Sequence, residues 1–340
     1  MRWDNLGLDV APPNGGMSVP LFEQGAVERT FDTPEFRGMT FYEIHAKSII
    51  NRVPEASRVP FRWTINPYRG CQHACRYCFA RSTHTYLDLD AGKDFDTKVV
   101  VKVNAAEKLR KELARPSWAG EHIAMGTNVD PYQRAEGRYR LMRGILEALR
   151  DFANPFSILT KGTLILRDLD LLKECAEVTE VGTNVSVGSV DRDLWRLLEP
   201  GTPNPRKRLD ACRMLNEAGI PCGVLMAPVV PFLSDDEASL EDTVRAIAEA
   251  GATHVYPIAL HLRTGAREWF LRWVEEHRPD LLPKYQAMYT RGAYAPKAYQ
   301  KDLADRVHRL ARRYGIGRGS PSTARRIEAP LPEPEQLTLA

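Results

Sequence analysis

Between residues 61 and 260, short apolar runs alternate with stretches of helical period, and this alternation limits the chain more than any other feature. Phe61, Trp63 and Ile65 alternate with polar residues as a strand does. Further runs at Lys98 to Val103, His122 to Gly126, Phe156 to Lys161, Val181 to Val187, Cys222 to Val230 and Thr253 to Leu260 read as buried strands. Helical spacing lies between most of them, over Asn104–Ala114, Tyr139–Phe152, Leu166–Val178, Pro205–Ala218 and Asp236–Ala250. Gly219 with Pro221, and Gly251, are stop signals. Such alternation calls for a parallel sheet with right-handed crossovers, covered on both faces. About six units are too few for a closed eightfold barrel, so the expectation is an open, partial α/β barrel. Ligands of such folds sit at the carboxyl ends of the strands. Those ends here carry Thr127-Asn128-Val129-Asp130, Thr160-Lys161-Gly162, Ser186 with Ser189, and Ala227-Pro228.

Directly after the first of these strands comes Asn66 to Arg81, with three of the six cysteines. Cys71, Cys75 and Cys78 are separated by three and then two residues, with Gly70 before the first and Tyr77 before the last. An odd number cannot pair internally, and neighbours this close do not bridge without distortion, so the spacing indicates a metal site. Two occupants fit the residues. Zinc could be closed by His73 or His84, though structural zinc sites are usually completed by a second knuckle and no second Cys-x-x-Cys exists. An iron–sulfur cluster could be held by three thiolates with its fourth iron open. Cys175, Cys212 and Cys222 are scattered singly and read as core thiols.

Composition narrows the setting. Hydrophobic content of 43% and charged content of 27% are those of a soluble globular chain. No run of about 18 apolar residues could span a bilayer. Asp4 and Asp9 interrupt any secretory signal, and unpaired cysteines suit a reducing compartment, so the expected location is cytoplasmic. A net charge of +3 permits an anionic partner without demanding one.

The cysteine motif with Tyr77 resembles the cluster motif of the radical S-adenosylmethionine superfamily. Asn66-Pro67-Tyr68-Arg69-Gly70-Cys71, Cys78-Phe79-Ala80-Arg81, Thr127 to Tyr132, Thr160-Lys161, Arg167-Asp168 and Glu199-Pro200 are similar to its spore photoproduct lyase-like branch. The resemblance implies a partial (β/α)6 barrel and two cofactors, a [4Fe-4S] cluster on Cys71, Cys75 and Cys78 and S-adenosyl-L-methionine on the open iron. It implies reductive cleavage to methionine and a 5'-deoxyadenosyl radical, fed by an external flavodoxin- or ferredoxin-like electron donor, with hydrogen abstraction from an unidentified substrate. By position, the backbone around Tyr77 would meet the adenine, Lys161 and Ser186 would hold the carboxylate and the ribose or amino end, and Ala227 would pack near the adenine. The family's Gly-Gly-Glu stretch is absent; Thr127 and Asp130 occupy its place. Two departures set this chain apart from true spore photoproduct lyases: no cysteine stands near Met125-Gly126, and Phe79 replaces a tyrosine.

The flanks are expected to be additions to residues 56–265. Residues 1–55 read as a largely irregular extension with a short helix over Tyr42–Asn51, and 321–340 as a disordered tail. A helix is expected to begin near Cys75. Residues 266–320 read as helical, with Leu303, Val307 and Leu310 on one face of Tyr299–Tyr314 and Arg306, Arg309, Arg312 and Arg313 on the other. That basic face offers a second reading of the whole chain, a zinc- or cluster-dependent nucleic-acid-binding module without catalysis. Glu199 and Arg208 read as an ion pair across a turn. No catalytic residue is assigned.

Overall fold

The computed structural model describes residues 25–317 apart from Ala56 and Arg58. The expected tail at 321–340 and the irregular run at Val10–Pro20 lie outside these. The strands among the described residues are β1 (Val27–Arg29), β2 (Thr40–Ile44), β3 (Ile50–Arg52), β4 (Trp63–Ile65), β5 (Tyr68–Arg69), β6 (Lys98–Lys102), β7 (Ile123–Met125), β8 (Phe156–Thr160), β9 (Val181–Ser186), β10 (Cys222–Val229) and β11 (Val255–Ala259).

They form two sheets. The larger runs β11-β10-β9-β8-β7-β4-β3; its six strands from β4 to β11 are parallel to their neighbours, and β3 adds an antiparallel edge. Among the described residues its two edge strands, β11 and β3, do not pair, and the sheet is open, in keeping with the unit count. The expected helices form within a few residues of their predicted bounds, at Ala105–Leu113, Leu141–Asp151, Leu169–Val178, Pro205–Glu217 and Glu237–Glu249, and the last helix spans Lys297–Arg313. Their apolar faces and the buried side chains of the parallel strands make one core, from Ile65 and Ile123 to Val224 and Val307. Cys175, Cys212 and Cys222 are fully buried in it, as expected of core thiols.

Three local expectations are corrected. The run Lys98–Lys102 is a strand but leaves the barrel for the smaller sheet, ordered β1-β2-β6-β5. Val99 and Val101 enter one apolar cluster and Val100 another, so β6 has the two-sided burial of a barrel strand while pairing elsewhere. Tyr42–Asn51 forms no helix. Thr40–Ile44 pairs in parallel with β6, which buries Phe41 on one face and Ile44 on the other. Residues 25–55 thus carry three strands. After the cysteines the chain makes two short 3-10 turns, Phe79–Thr83 and Thr85–Leu87, instead of a helix from Cys75.

Candidate cofactor site

The cysteine loop leaves β4 at its carboxyl end and is held by close packing. Gly70 has φ of +83°, and a Cβ there would meet the Lys98 carbonyl oxygen at 2.6 Å. A Cβ on Gly201 would stand 2.0 Å from the Gln72 carbonyl oxygen, so a second glycine lets another loop press on the first. Cys71 N–H donates to the Phe95 carbonyl at 3.0 Å, and Cys78 N–H to that of Cys75 at 3.2 Å. All three thiols are free; Cys71 and Cys75 are buried. Burial pushes each thiol's pKa upward, aided by Asp130 beside Cys71 and Glu199 beside Cys75. Thiolates would therefore need a compensating cation, which a metal centre supplies.

The loop's donor set suits such a group. The side-chain amide of Gln72, between Cys71 and His73, has both polar atoms buried without a hydrogen-bond partner among the described residues, as does Arg76 Nε. Each such orphan costs about 1–3 kcal/mol unless a bound group satisfies it. No three His, Cys, Asp or Glu side chains among the described residues form a group that could hold a metal ion in these side-chain positions. A four-iron cluster asks something different, since each thiolate takes its own iron.

Four of the six residues expected at the second cofactor meet at the ends of β8, β9 and β10. Lys161 Nζ donates to Ser186 Oγ at 2.8 Å and to the Ala227 carbonyl at 3.3 Å, and Ser186 Oγ donates to the same carbonyl at 2.8 Å. The ammonium lies 5.8 Å from the centre of the Tyr77 ring. Joining them is Glu199. Its Oε1 accepts from Lys161 at 3.0 Å and from the Tyr77 hydroxyl, while Oε2 accepts from Arg208. The Arg208 pair is the one expected; that Glu199 also meets Lys161 and Tyr77 is not visible in the sequence. Burial alone would raise its carboxyl; Arg208 and Lys161 reverse this and hold it well below the usual range. A shallow crevice, open to solvent, lies beside this group, lined by Tyr77, Ser189, Trp195, Glu199, Pro228 and Ser234 among others.

The other two residues lie outside the hydrogen bonds that gather on Lys161 Nζ and Glu199. Asp130 accepts from Thr160 Oγ1 and Lys161 N–H, both at 2.6 Å, from Tyr132 N–H at 2.9 Å, and lies 3.3 Å from His73 Nδ1. Burial acts to raise its carboxyl, but His73 and these hydrogen bonds outweigh it and the net direction is down. Its oxygens tie the ends of two strands to the cysteine loop. Thr127 Oγ1 donates to Asn66 Oδ1 at 3.4 Å. Phe79 lies against His261 at 5.4 Å with the Arg263 guanidinium at 5.2 Å. On the helix Lys297–Arg313, Arg306 and Arg309 pair with Glu237, and Arg313 with Glu241. A phosphate backbone on that face would have to displace these pairs.

Residues 65–247 match the family model of the Radical SAM superfamily, and the chain belongs to that superfamily. It is a radical S-adenosylmethionine enzyme by class. It is 46% identical over 341 residues to an uncharacterized protein of Mycobacterium tuberculosis, covering 100% of both chains. An uncharacterized protein of Methanocaldococcus jannaschii is 34% identical over 203 residues, 59% of this chain and 72% of that one. Among solved structures, spore photoproduct lyase complexed with dinucleoside spore photoproduct superposes with a TM-score of 0.61 at 17% identity, covering 81% of this chain and 79% of the other. At that identity the likeness is one of fold. No helix among the described residues is long and apolar enough to cross a membrane.

Proposed function

We propose that the chain holds a [4Fe-4S] cluster on Cys71, Cys75 and Cys78 and S-adenosylmethionine beside Lys161, Ser186 and Ala227, and uses them to take a hydrogen atom from a substrate. The observation that carries this is the convergence of an ammonium, a hydroxyl, a backbone carbonyl and a charged carboxylate next to Tyr77 of the cysteine loop. A zwitterionic sulfonium ligand needs a cation for its carboxylate and acceptors for its ammonium and hydroxyl groups. Lys161 is the cation. Ser186 Oγ and the Ala227 carbonyl are acceptors, Glu199 fixes Lys161 and adds another, and Tyr77 and Pro228 wall the crevice where the adenine is assigned. Thr127 is assigned to the amino end, and Asp130 to holding the loop that presents it.

When bound, the two cofactors supply reductive carbon–sulfur cleavage to methionine and a 5'-deoxyadenosyl radical, with the electron coming from a flavodoxin- or ferredoxin-like donor. Phe79 and the absence of cysteine at Met125-Gly126 argue against thymine-dimer repair through a cysteine hydrogen donor. The internal pairs of Arg306, Arg309 and Arg313 leave the nucleic-acid-binding module as the weaker reading. Anaerobic reconstitution separates the two: the enzyme binds about four irons with sulfide and, after dithionite, releases 5'-deoxyadenosine. One tetrahedral zinc and no cleavage product would establish the binding module instead.

A further inference from the structure

Arg81 is fully buried three residues beyond the last cluster cysteine and has no place in the cofactor roles above. Its Nε and Nη2 both donate to the Cys75 carbonyl, at 3.2 and 2.9 Å. Nη1 donates to the carbonyls of Ala91 and Gly92 at 3.1 and 2.7 Å, and Nη2 also reaches Asp96 Oδ1 at 2.8 Å. The guanidinium carbon lies 5.2 Å from the Phe95 ring centre and 4.9 Å from that of Trp269. The same segment takes the Cys71 N–H through the Phe95 carbonyl, so two of the three cysteines are tied to residues 91–96.

Bracing a loop does not require a charge. Burying a guanidinium costs several kcal/mol before pairing, and a neutral donor could hold the Cys75 carbonyl. A cation at this position does something a neutral donor does not. Three thiolates and an added electron make the loop's occupant more negative on reduction, and a fixed positive charge stabilises the reduced form over the oxidised one. Asp96, whose side chain is 12% exposed, offsets part of that charge.

We propose that Arg81 is a positioning residue that raises the reduction potential of the cluster on Cys71, Cys75 and Cys78, with Asp96 opposing it. The inference rests on the cluster reading given under the proposed function. Its test is an anaerobic redox titration of the reconstituted full chain without substrate, followed by electron paramagnetic resonance, beside an iron count and a melting curve. In Arg81→Gln the ratio of reduced to oxidised cluster at a fixed potential falls about tenfold, a shift of about 59 mV to the negative side. Asp96→Asn moves the ratio the opposite way by a similar factor. Arg81→Lys keeps the charge and titrates near the wild type while losing melting temperature with the forked contacts. A brace without an electrostatic role would change iron retention and melting and leave every titration where the wild type lies, and that result overturns the proposal. Should Arg81→Gln fail to hold iron, Asp96→Asn decides alone, and an unmoved potential there is equally fatal. Wild-type protein that binds no iron fails at the iron count, which marks the cluster reading itself as wrong.

Discussion

Lys161 and Glu199 form a 3.0 Å ion pair between the end of β8 and the turn after the helix Arg192–Leu198, with side chains only 14% and 7% exposed. The carboxylate is shared with Arg208 and with the hydroxyl of Tyr77, so one acid links a strand end, a turn, the helix Pro205–Glu217 and the cysteine loop. Pairs of this kind are needed because a lone buried charge is far costlier than a matched one. A ligand carboxylate reaching Lys161 therefore meets an ammonium already held in place.

Glu199→Gln leaves Arg208 and Lys161 buried without their shared counter-charge. The expected loss is about 3–5 kcal/mol of folding stability, read from denaturant unfolding of the iron-free protein. A loss below about 1 kcal/mol would mean that the two cations find other partners.

Lys161→Met keeps the volume of the side chain and removes its charge. S-adenosylmethionine binding, measured by equilibrium dialysis of the reconstituted protein, is expected to weaken by at least about tenfold, roughly 1.4 kcal/mol, with iron content unchanged. Undiminished affinity would remove Lys161 from the cofactor site.

Gly70→Ala forces a side chain into the left-handed region and against the Lys98 carbonyl. Strain of about 1–3 kcal/mol is expected, together with a lower iron content after reconstitution, because Cys71 is the next residue. Normal iron content in a well-folded variant would show that the loop accommodates the methyl group.

Lys102 ends β6 in a buried position, where burial and then Arg69 push its ammonium down to about 7, against the pull of Glu112. The unfolded chain binds this proton more tightly, so the cost to stability is fully present below pH about 7 and fades as pH rises toward the ordinary lysine value of about 10.5. Lys102→Met is expected to stabilise the protein by on the order of 3 kcal/mol near neutral pH and by much less near pH 10. Urea unfolding at both pH values checks this, and equal gains would contradict it.

Periodicity made the parallel strands and the long helices legible, because which face of a segment is apolar is written within a dozen residues. The same was true of the cysteine loop, whose ligands are adjacent in the chain. β6 shows where that reading stops. Its buried valines marked a strand but carried no information about its partners, which are β2 and β5; Ile44 at the end of β2 falls at helical spacing with Ile49 and Ile50, so that run predicted a helix instead. Asp130 stands past the end of β7 as its sequence position implies, but its partners Thr160, Lys161 and His73 are brought to it by the fold and by no local spacing.

By itself the sequence determined the class of fold, the open α/β sheet and the three-thiol loop on it, since these follow from local spacing. Beyond the Glu199–Arg208 pair nine residues apart, only the tertiary structure decided which buried charges face each other. Glu199 meets Lys161 across 38 residues, and Arg81 meets Asp96 across 15. The reason is that a buried charge takes whatever counter-charge the packed chain brings within about 4 Å, and no local pattern records that choice.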